Sequence, residues 1–486
     1  MKDNKIRTPS AFLSLLVVAF LMAMLLVVIV IFRDDALNGA IQIVLLTATA
    51  MAAVIAIFYC RVKWKTIEQR IGQNVFNIAP SILILLLIGS LAGSWMISGI
   101  VPTLIYYGLK ILSSGFFLAS CCILCCVVSL ITGSSWTTIA TIGVALIGIG
   151  EIQGFKTGWI AGAIISGAYF GDKISPLSDT TVMAASVTET PLMTHVKYML
   201  YTTIPSVTIA LIVFAIAGYT RSVPDTSQIA DFSNALQNSF TITPWLLIIP
   251  VVTGIMIAKK MPPVAVLFIS SLLAGCFALI FQPHLLEEIS GLTQGGAIAK
   301  IKGMMLSFFG STKVETGHQL LNNLVSTRGM AGMLNTVWLI ICAMCFGGVM
   351  TAGGMIGKIT SLFLRFMKKR VSTVAATVMS GFTLNVCLAD QYIAILLTGE
   401  MFKDVYKQGG YESRLLSRST EDSATVTSVL IPWSSCGMTQ ATVLGVPTLV
   451  YLPYCVFNIV SPFMSILVAA IGYKIFRKEP EKTTAD

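Results

Sequence analysis

Apolar runs approaching or exceeding the ~20 residues a helix needs to cross the hydrocarbon of a bilayer follow one another along this sequence. They cover residues 11–32, 38–59, 77–98, 115–131, 196–218, 244–258, 262–281, 335–352 and 446–472. Of the 486 residues 55% are hydrophobic and only 11% charged, less than half the ~25% charged share of a soluble domain. Such a chain cannot clothe a water-facing surface, and its solvent is mostly lipid. In lipid the backbone must satisfy its own hydrogen bonds, which leaves helices or closed barrels. Runs this long predict helices. The expected fold class is therefore all-α, a polytopic membrane protein of about 11 to 13 transmembrane helices.

The formal net charge of +10 would suggest nucleic acid in a soluble protein. Here the basic residues sit in short clusters between apolar runs, so the charge reads as topology under the positive-inside rule, and no nucleic-acid partner is expected. The clusters are Lys2, Lys5 and Arg7; Arg61, Lys63, Lys65 and Arg70; Lys259 and Lys260; Lys368, Lys369 and Arg370; and Lys474, Arg477 and Lys478. All are expected in the cytoplasm, which puts both termini there and turns Glu287 and Glu288 outward. The run from Ala11 to Phe32 is longer than a signal-peptide core and lacks a small-residue cleavage site, so it reads as a retained first helix. The expected organisation is two helices in 1–75, a first transporter half in 76–218, connecting loops and helices in 219–334, a second half in 335–472 and a tail in 473–486. The polar stretch 219–243 carries Asp225 and Asp231, and 282–334 contains an amphipathic helix near 298–309.

Two regions, 132–194 and 371–440, are apolar but repeatedly broken by polar residues, Gly and Pro. Irregular backbone at membrane depth survives only against protein or a cavity, and ionisable residues there are functional candidates. The first break is Thr132-Gly133-Ser134-Ser135-Trp136-Thr137-Thr138. The second runs from Gly171-Asp172-Lys173 through Ser175-Pro176-Leu177-Ser178-Asp179-Thr180-Thr181, with Asp172 and Asp179 on either side of a helix-breaking proline. The third holds Asn385, Asp390 and Gln391. The fourth runs from Ser417-Arg418-Ser419-Thr420-Glu421-Asp422-Ser423-Ala424-Thr425 to Pro432-Trp433-Ser434-Ser435-Cys436-Gly437. Ser135 precedes Asp172 by 37 positions, as Asn385 precedes Asp422. That equality pairs the breaks of two halves; aligning Asp179 with Asp422 is the rival register. Paired broken helices in two halves point to a transporter site.

The chemistry expected there is competition. A carboxylate drawn out of water favours its neutral form and binds either a proton or a sodium ion. Asp179 and Asp422, ringed by hydroxyls and away from basic residues on the same turn, lead the candidates. Asp172, Asp390, Asn385, Ser135, Thr137, Ser178, Thr180, Ser423 and Thr425 complete the expected shell. Structural roles compete: Asp172 pairing with Lys173, Glu421 with Arg418 at the membrane edge, and hydroxyls capping helix ends.

These segments resemble the NhaC family of sodium/proton antiporters. The resemblance lies in Gly171-Asp172-Lys173-Ile174-Ser175-Pro176-Leu177-Ser178-Asp179-Thr180-Thr181, Ala389-Asp390-Gln391-Tyr392, Glu421 to Ser428 and Pro432 to Gly437. It extends to Ile84–Pro102 and Arg328-Gly329-Met330, and covers roughly residues 75 to 470. It implies two inverted repeats with broken helices, coupled Na⁺ and H⁺ transport in the cell inner membrane, and a homodimer. Relatives of this type include malate/lactate exchangers and carriers of amino acids. Val182-Met183-Ala184-Ala185-Ser186 departs from the asparagine-like start expected after Asp179-Thr180-Thr181, which bears on the substrate. A small organic anion is therefore the alternative cargo, with Lys173, Asn385 and Gln391 to receive it.

Other classes fit less well. A channel favours a continuous pore, often around an oligomer axis, rather than two halves with paired breaks. An enzyme is not expected: His195, His284 and His318 are too scattered for a metal-ligand motif, and no nucleophile–base set or cofactor motif is present. Gly148 and Gly150 lie in an apolar helix without the strand a dinucleotide site needs. The 11 cysteines suggest no disulfide framework. Cys121, Cys122, Cys125 and Cys126 read as small residues at a helix contact.

Overall fold

The computed structural model describes residues 7–32, 39–111, 114–220, 226–292, 295–317, 321–322, 325–367 and 369–476. Lys2, Lys5, Asp225, His318, Lys368, Arg477 and Lys478 lie outside the described residues.

The chain begins with α1 (Ala11–Phe32), α2 (Ala40–Val54), α3 (Trp64–Ile97), α4 (Ile100–Ile111) and α5 (Phe117–Thr132). Next come α6 (Ser135–Ile152), α7 (Thr157–Ile174), α8 (Asp179–Val187) and α9 (Leu192–Tyr219). The middle holds α10 (Thr226–Ser239), α11 (Ile248–Ala258), α12 (Pro263–Phe281), α13 (Pro283–Ser290) and α14 (Ala297–Phe309). It is followed by α15 (Leu334–Ala352), α16 (Met355–Leu364), α17 (Arg370–Leu388) and α18 (Gln391–Gln408). The last part is α19 (Ser413–Thr420), which runs into a π turn at Glu421–Thr425, then α20 (Ser435–Leu444), α21 (Thr448–Tyr454) and α22 (Val456–Ile471).

Among the described residues eight helices are long and apolar enough to cross a bilayer, or ten if two bent pairs each count as one span. This is fewer than the 11 to 13 read from apolar runs. The difference lies in α5, which has only 16 residues, and in the broken regions, where α7 ends in Asp172-Lys173.

The surface is apolar and the interior partly polar. Phe12, Val30, Phe58, Phe76 and Ile298 stand exposed, while Asp172, Lys173, Arg418, Glu421 and Asp422 are buried. That distribution suits a molecule whose solvent is hydrocarbon. One core joins α3 to α7, α9 and α12; a second joins α1 and α2 to α15 and α17. The expected amphipathic helix is α14, whose Ala299, Gly303 and Ser307 face inward. Gly303 abuts the Leu286 carbonyl, and the Ser307 carbonyl abuts Gly93 of α3.

Close approach of α5 and α7 places the breaks side by side. Gly167 and Gly171 leave no room for a Cβ against the backbone of Cys122, Ser129 and Leu130. Cys122 and Cys125 pack on Gly167, the small-residue contact that lets helices meet without a hydrophobic drive.

Candidate ion site between broken helices

Each of the four breaks is built from a local signal. α5 stops at Gly133, whose φ of 69° is left-handed, and Ser134 then caps α6 by accepting from Thr137 N at 3.2 Å. α7 stops at Ser175; Pro176 prevents continuation, and Ser178 caps α8 by accepting from Thr181 N. α17 stops at Ala389, φ 57°, and Asp390 caps α18 through Ile393 N at 3.0 Å. After the π turn and Ile431-Pro432-Trp433, Ser434 caps α20 through Gly437 N at 3.3 Å.

A constant 256 positions relates these features. Gly133 matches Ala389, Ser134 matches Asp390, Pro176 matches Pro432 and Ser178 matches Ser434. Side-chain bonds repeat in the same register. Ser129 donates to the Ala168 carbonyl as Asn385 donates to that of Ala424. Ser135 donates to Asp172 at 2.6 Å, and the matching pair is Ser428 donating to Gln391 at 3.2 Å. The expected register, Ser135 and Asp172 with Asn385 and Asp422, is therefore six residues off, and the Asp179–Asp422 alternative fails too. Both halves do hold a 37-residue spacing, but the second lies between Gln391 and Ser428. The counterpart of Asp172 is Ser428, that of Asp179 is Ser435 and that of Asp422 is Ser166. The carboxylates are not duplicated. Pro-Leu-Ser against Pro-Trp-Ser carried the correct register in the sequence.

The first-half breaks converge on Asp172. One carboxylate oxygen accepts from Ser178 Oγ and the other from Ser135 Oγ, each at 2.6 Å. Ser178 Oγ also lies 2.9 Å from Thr180 Oγ1, and Thr181 Oγ1 donates to the Asp172 carbonyl at 2.8 Å. Asp172 forms part of the wall of a cavity of about 260 Å³, with Ser134, Thr137, Asp179, Gln391 and Tyr392. Lys260 and Pro262, between α11 and α12, also line it. Asp179 is exposed, at the start of α8.

Gly133 holds this geometry. Its φ is positive, and a Cβ there would lie 2.7 Å from the Leu177 carbonyl carbon. Gly133→Ala is expected to cost ~1–2 kcal/mol in left-handed backbone strain and a further ~1–3 kcal/mol in overpacking. The check is thermal unfolding in detergent; an unchanged melting temperature would mean that the break relaxes freely.

Asp422 stands apart from this cluster and is not free of basic partners. It is ion-paired with Lys173, both side chains wholly buried, and accepts from Thr202 Oγ1 at 3.2 Å. Arg418 Nε lies 4.0 Å from its other oxygen, and the guanidinium sits over the Tyr198 ring at 4.7 Å. Neighbours on a helix point about 100° apart at 3.6 residues per turn. Asp172 and Lys173 therefore part, the carboxylate to hydroxyls and the ammonium to Asp422. The expected Asp172–Lys173 pair does not form. Nor does Glu421 pair with Arg418: Arg418 meets Asp422, four residues on, in the core rather than at an edge. His195 joins this buried set through Nδ1 and Ser417 Oγ at 2.5 Å.

The remaining candidates are more dispersed. Asp390 is a helix cap that also accepts from Ser435 Oγ at 3.3 Å. Asn385 Nδ2 bonds the Ala424 carbonyl and Thr427 Oγ1. Ser423 bonds back to the Ser419 carbonyl on its own helix. Thr425 Oγ1 is buried without a hydrogen bond among the described residues, and Thr137 Oγ1 lies 3.1 Å from Ser134 Oγ. Sequence reasoning missed Lys173, Arg418 and Thr202 as partners of Asp422. Only the four-residue Arg418–Asp422 spacing was available to signal any of them.

Comparison with known proteins places these features in context. The profile of the Na+/H+ antiporter family matches residues 3–181 and 167–473. The malate-2H(+)/Na(+)-lactate antiporter of Bacillus subtilis is 34% identical over 474 residues, 97% of this chain and 96% of that protein. The Na(+)/H(+) antiporter NhaC of Alkalihalophilus pseudofirmus is 35% identical over 422 residues, 87% of this chain and 88% of the relative. The arginine/ornithine antiporter ArcD of Halobacterium salinarum is 32% identical over 481 residues, 98% of this chain and 95% of that protein. Among solved structures, the Alcanivorax borkumensis YdaH transporter covers 89% of this chain and is itself covered over 97% of its length. At 12% identity and a TM-score of 0.42 it is too distant to bear on the site.

Proposed function

Because the chain belongs to the Na+/H+ antiporter family, we propose that it is a secondary carrier that exchanges sodium ions for protons at Asp172. The observation behind this reading is that Asp172 is buried, held by one hydroxyl from each of two helix breaks, and part of a cavity wall. In the proton-loaded state Asp172 carries the proton. In the sodium-loaded state the carboxylate and the oxygens of Ser135, Ser178 and Thr180 offer hard ligands to a hard cation, as oxygen ligands do for such ions. A hydroxyl has one donor and two acceptor lone pairs, so these side chains serve either state by rotating. Rocking of the broken helices would expose Asp172 to each side in turn. The reading needs no covalent chemistry and no cofactor; Na⁺ and H⁺ are cargo. It puts the protein in the plasma membrane as a homodimer, with both termini and Lys260, which lines the cavity, facing the cytoplasm. Residues 76–218 and 335–472 form the two transporter halves.

Buried Lys173 and Arg418 favour a second reading, in which a small organic carboxylate travels with the ions. One experiment separates the two. Protein in proteoliposomes loaded with a pH-sensitive dye, acid inside, is given Na⁺, K⁺ or Li⁺ with and without malate, lactate or arginine. Proton efflux on Na⁺ alone is expected. Efflux that appears only with an organic solute would replace the first reading by the second.

A further inference from the structure

One buried carboxylate takes no part in the exchange at Asp172. Glu421 opens the π turn Glu421–Thr425 and is wholly buried, and among the described residues neither of its oxygens accepts a hydrogen bond. From α7 it faces Asp172 and Lys173, from α8 the Thr180 hydroxyl, and on its own turn that of Thr425. Arg418 lies one turn earlier, with its Nε 4.0 Å from Asp422. Other elements packed on this turn bring amides. Asn385 of α17 donates to the Ala424 carbonyl, Asn458 of α22 to that of Val426, and Gln391 of α18 accepts from Ser428. His195 of α9, bonded to Ser417, completes the titratable set.

An ionised carboxylate that is wholly buried, with neither oxygen accepting a hydrogen bond, is strongly disfavoured in such a place. Glu421 therefore holds a proton until a cation arrives nearby. A π turn in an otherwise α-helical stretch often marks a functional position. We propose that Glu421 is the second proton carrier of the cycle, so that two protons, one from Asp172 and one from Glu421, exchange for each sodium ion. The proposal rests on the reading of Asp172 as the Na⁺/H⁺ site. Charge counting gives its consequence. Two protons carry two charges one way and one sodium ion carries a single charge the other way. Each cycle then moves one net charge, so the exchange is driven by voltage. With Asp172 alone titrating, it would be electroneutral.

The test uses the full chain in proteoliposomes with the voltage set by a K⁺ gradient and valinomycin. Proton release is counted against ²²Na⁺ uptake. Two protons per sodium and a rate that follows the voltage are expected. For Glu421→Gln the expected values are one proton per sodium and no voltage response. One proton per sodium in the unmodified protein overturns the proposal, as does a voltage response in Glu421→Gln equal to that of the unmodified protein. Should Glu421→Gln fail to fold, infrared difference spectra decide. Adding Na⁺ removes two carboxylic-acid C=O bands, one of them moved by Glu421→Asp; a single band that Glu421→Asp leaves in place overturns the proposal. Absence of any sodium-for-proton exchange in the unmodified protein would instead remove the underlying reading.

Discussion

Asp172→Asn is expected to abolish sodium-driven proton flux while the protein still inserts and purifies as a folded species. Asparagine keeps partners for Ser135 and Ser178 but carries neither charge nor titrating proton. An interaction with a charged group contributes ~1.5–3 kcal/mol, and each 1.4 kcal/mol is about tenfold in affinity. Sodium binding therefore falls by roughly 10- to 150-fold, and coupled proton movement at this site ceases. Asp179→Asn gives the contrast. Its exposed carboxylate attracts cations to the cavity without enclosing them, an effect on arrival that salt weakens. A few-fold rise in the sodium concentration for half-maximal flux is expected, with the maximal rate kept. Dye-loaded proteoliposomes measure both. Full coupled exchange in Asp172→Asn together with none in Asp179→Asn would transfer the site to Asp179.

The second large effect is on folding. Asp422→Asn removes the carboxylate that pairs with Lys173 and Arg418, both wholly buried. Breaking a buried pair by deleting one partner costs ~3–5 kcal/mol, because the remaining charge is stranded. Lys173→Met should be milder, since Arg418 stays 4.0 Å from Asp422. Combining Lys173→Met with Asp422→Asn should recover part of the loss, a coupling that a double-mutant cycle reads directly. Thermal unfolding in detergent is the measurement. If Asp422→Asn is as stable as the unmodified protein yet inactive, Asp422 belongs to the transport site and not to a structural pair.

These two carboxylates show where sequence reasoning reached and where it stopped. Both were identified as buried acids in broken helices from hydroxyls, Gly and Pro around them. Their roles differ because of partners far away in the chain. Asp172 meets Ser135, 37 positions back, and Asp422 meets Lys173 across the two halves. Local spacing cannot rank such contacts, since adjacent helical residues diverge and long-range packing chooses among several acids and bases. The repeat register failed for a related reason. The 37-residue spacing occurs in both halves, so it constrains length but not alignment. Left-handed φ at Gly133 and Ala389 and the Pro176 and Pro432 breaks set the register.

That this chain lives in lipid, is helical and keeps its polar chemistry at four breaks was legible in its residues. Composition and run length decide those matters, because hydrocarbon tolerates neither unpaired backbone nor scattered charge. Helix packing settled which acid is held by hydroxyls and lines a cavity, which is tied to Lys173 and Arg418, and which, Glu421, has no hydrogen bond among the described residues. Those outcomes depend on the direction each side chain takes from its helix and on which helix faces it.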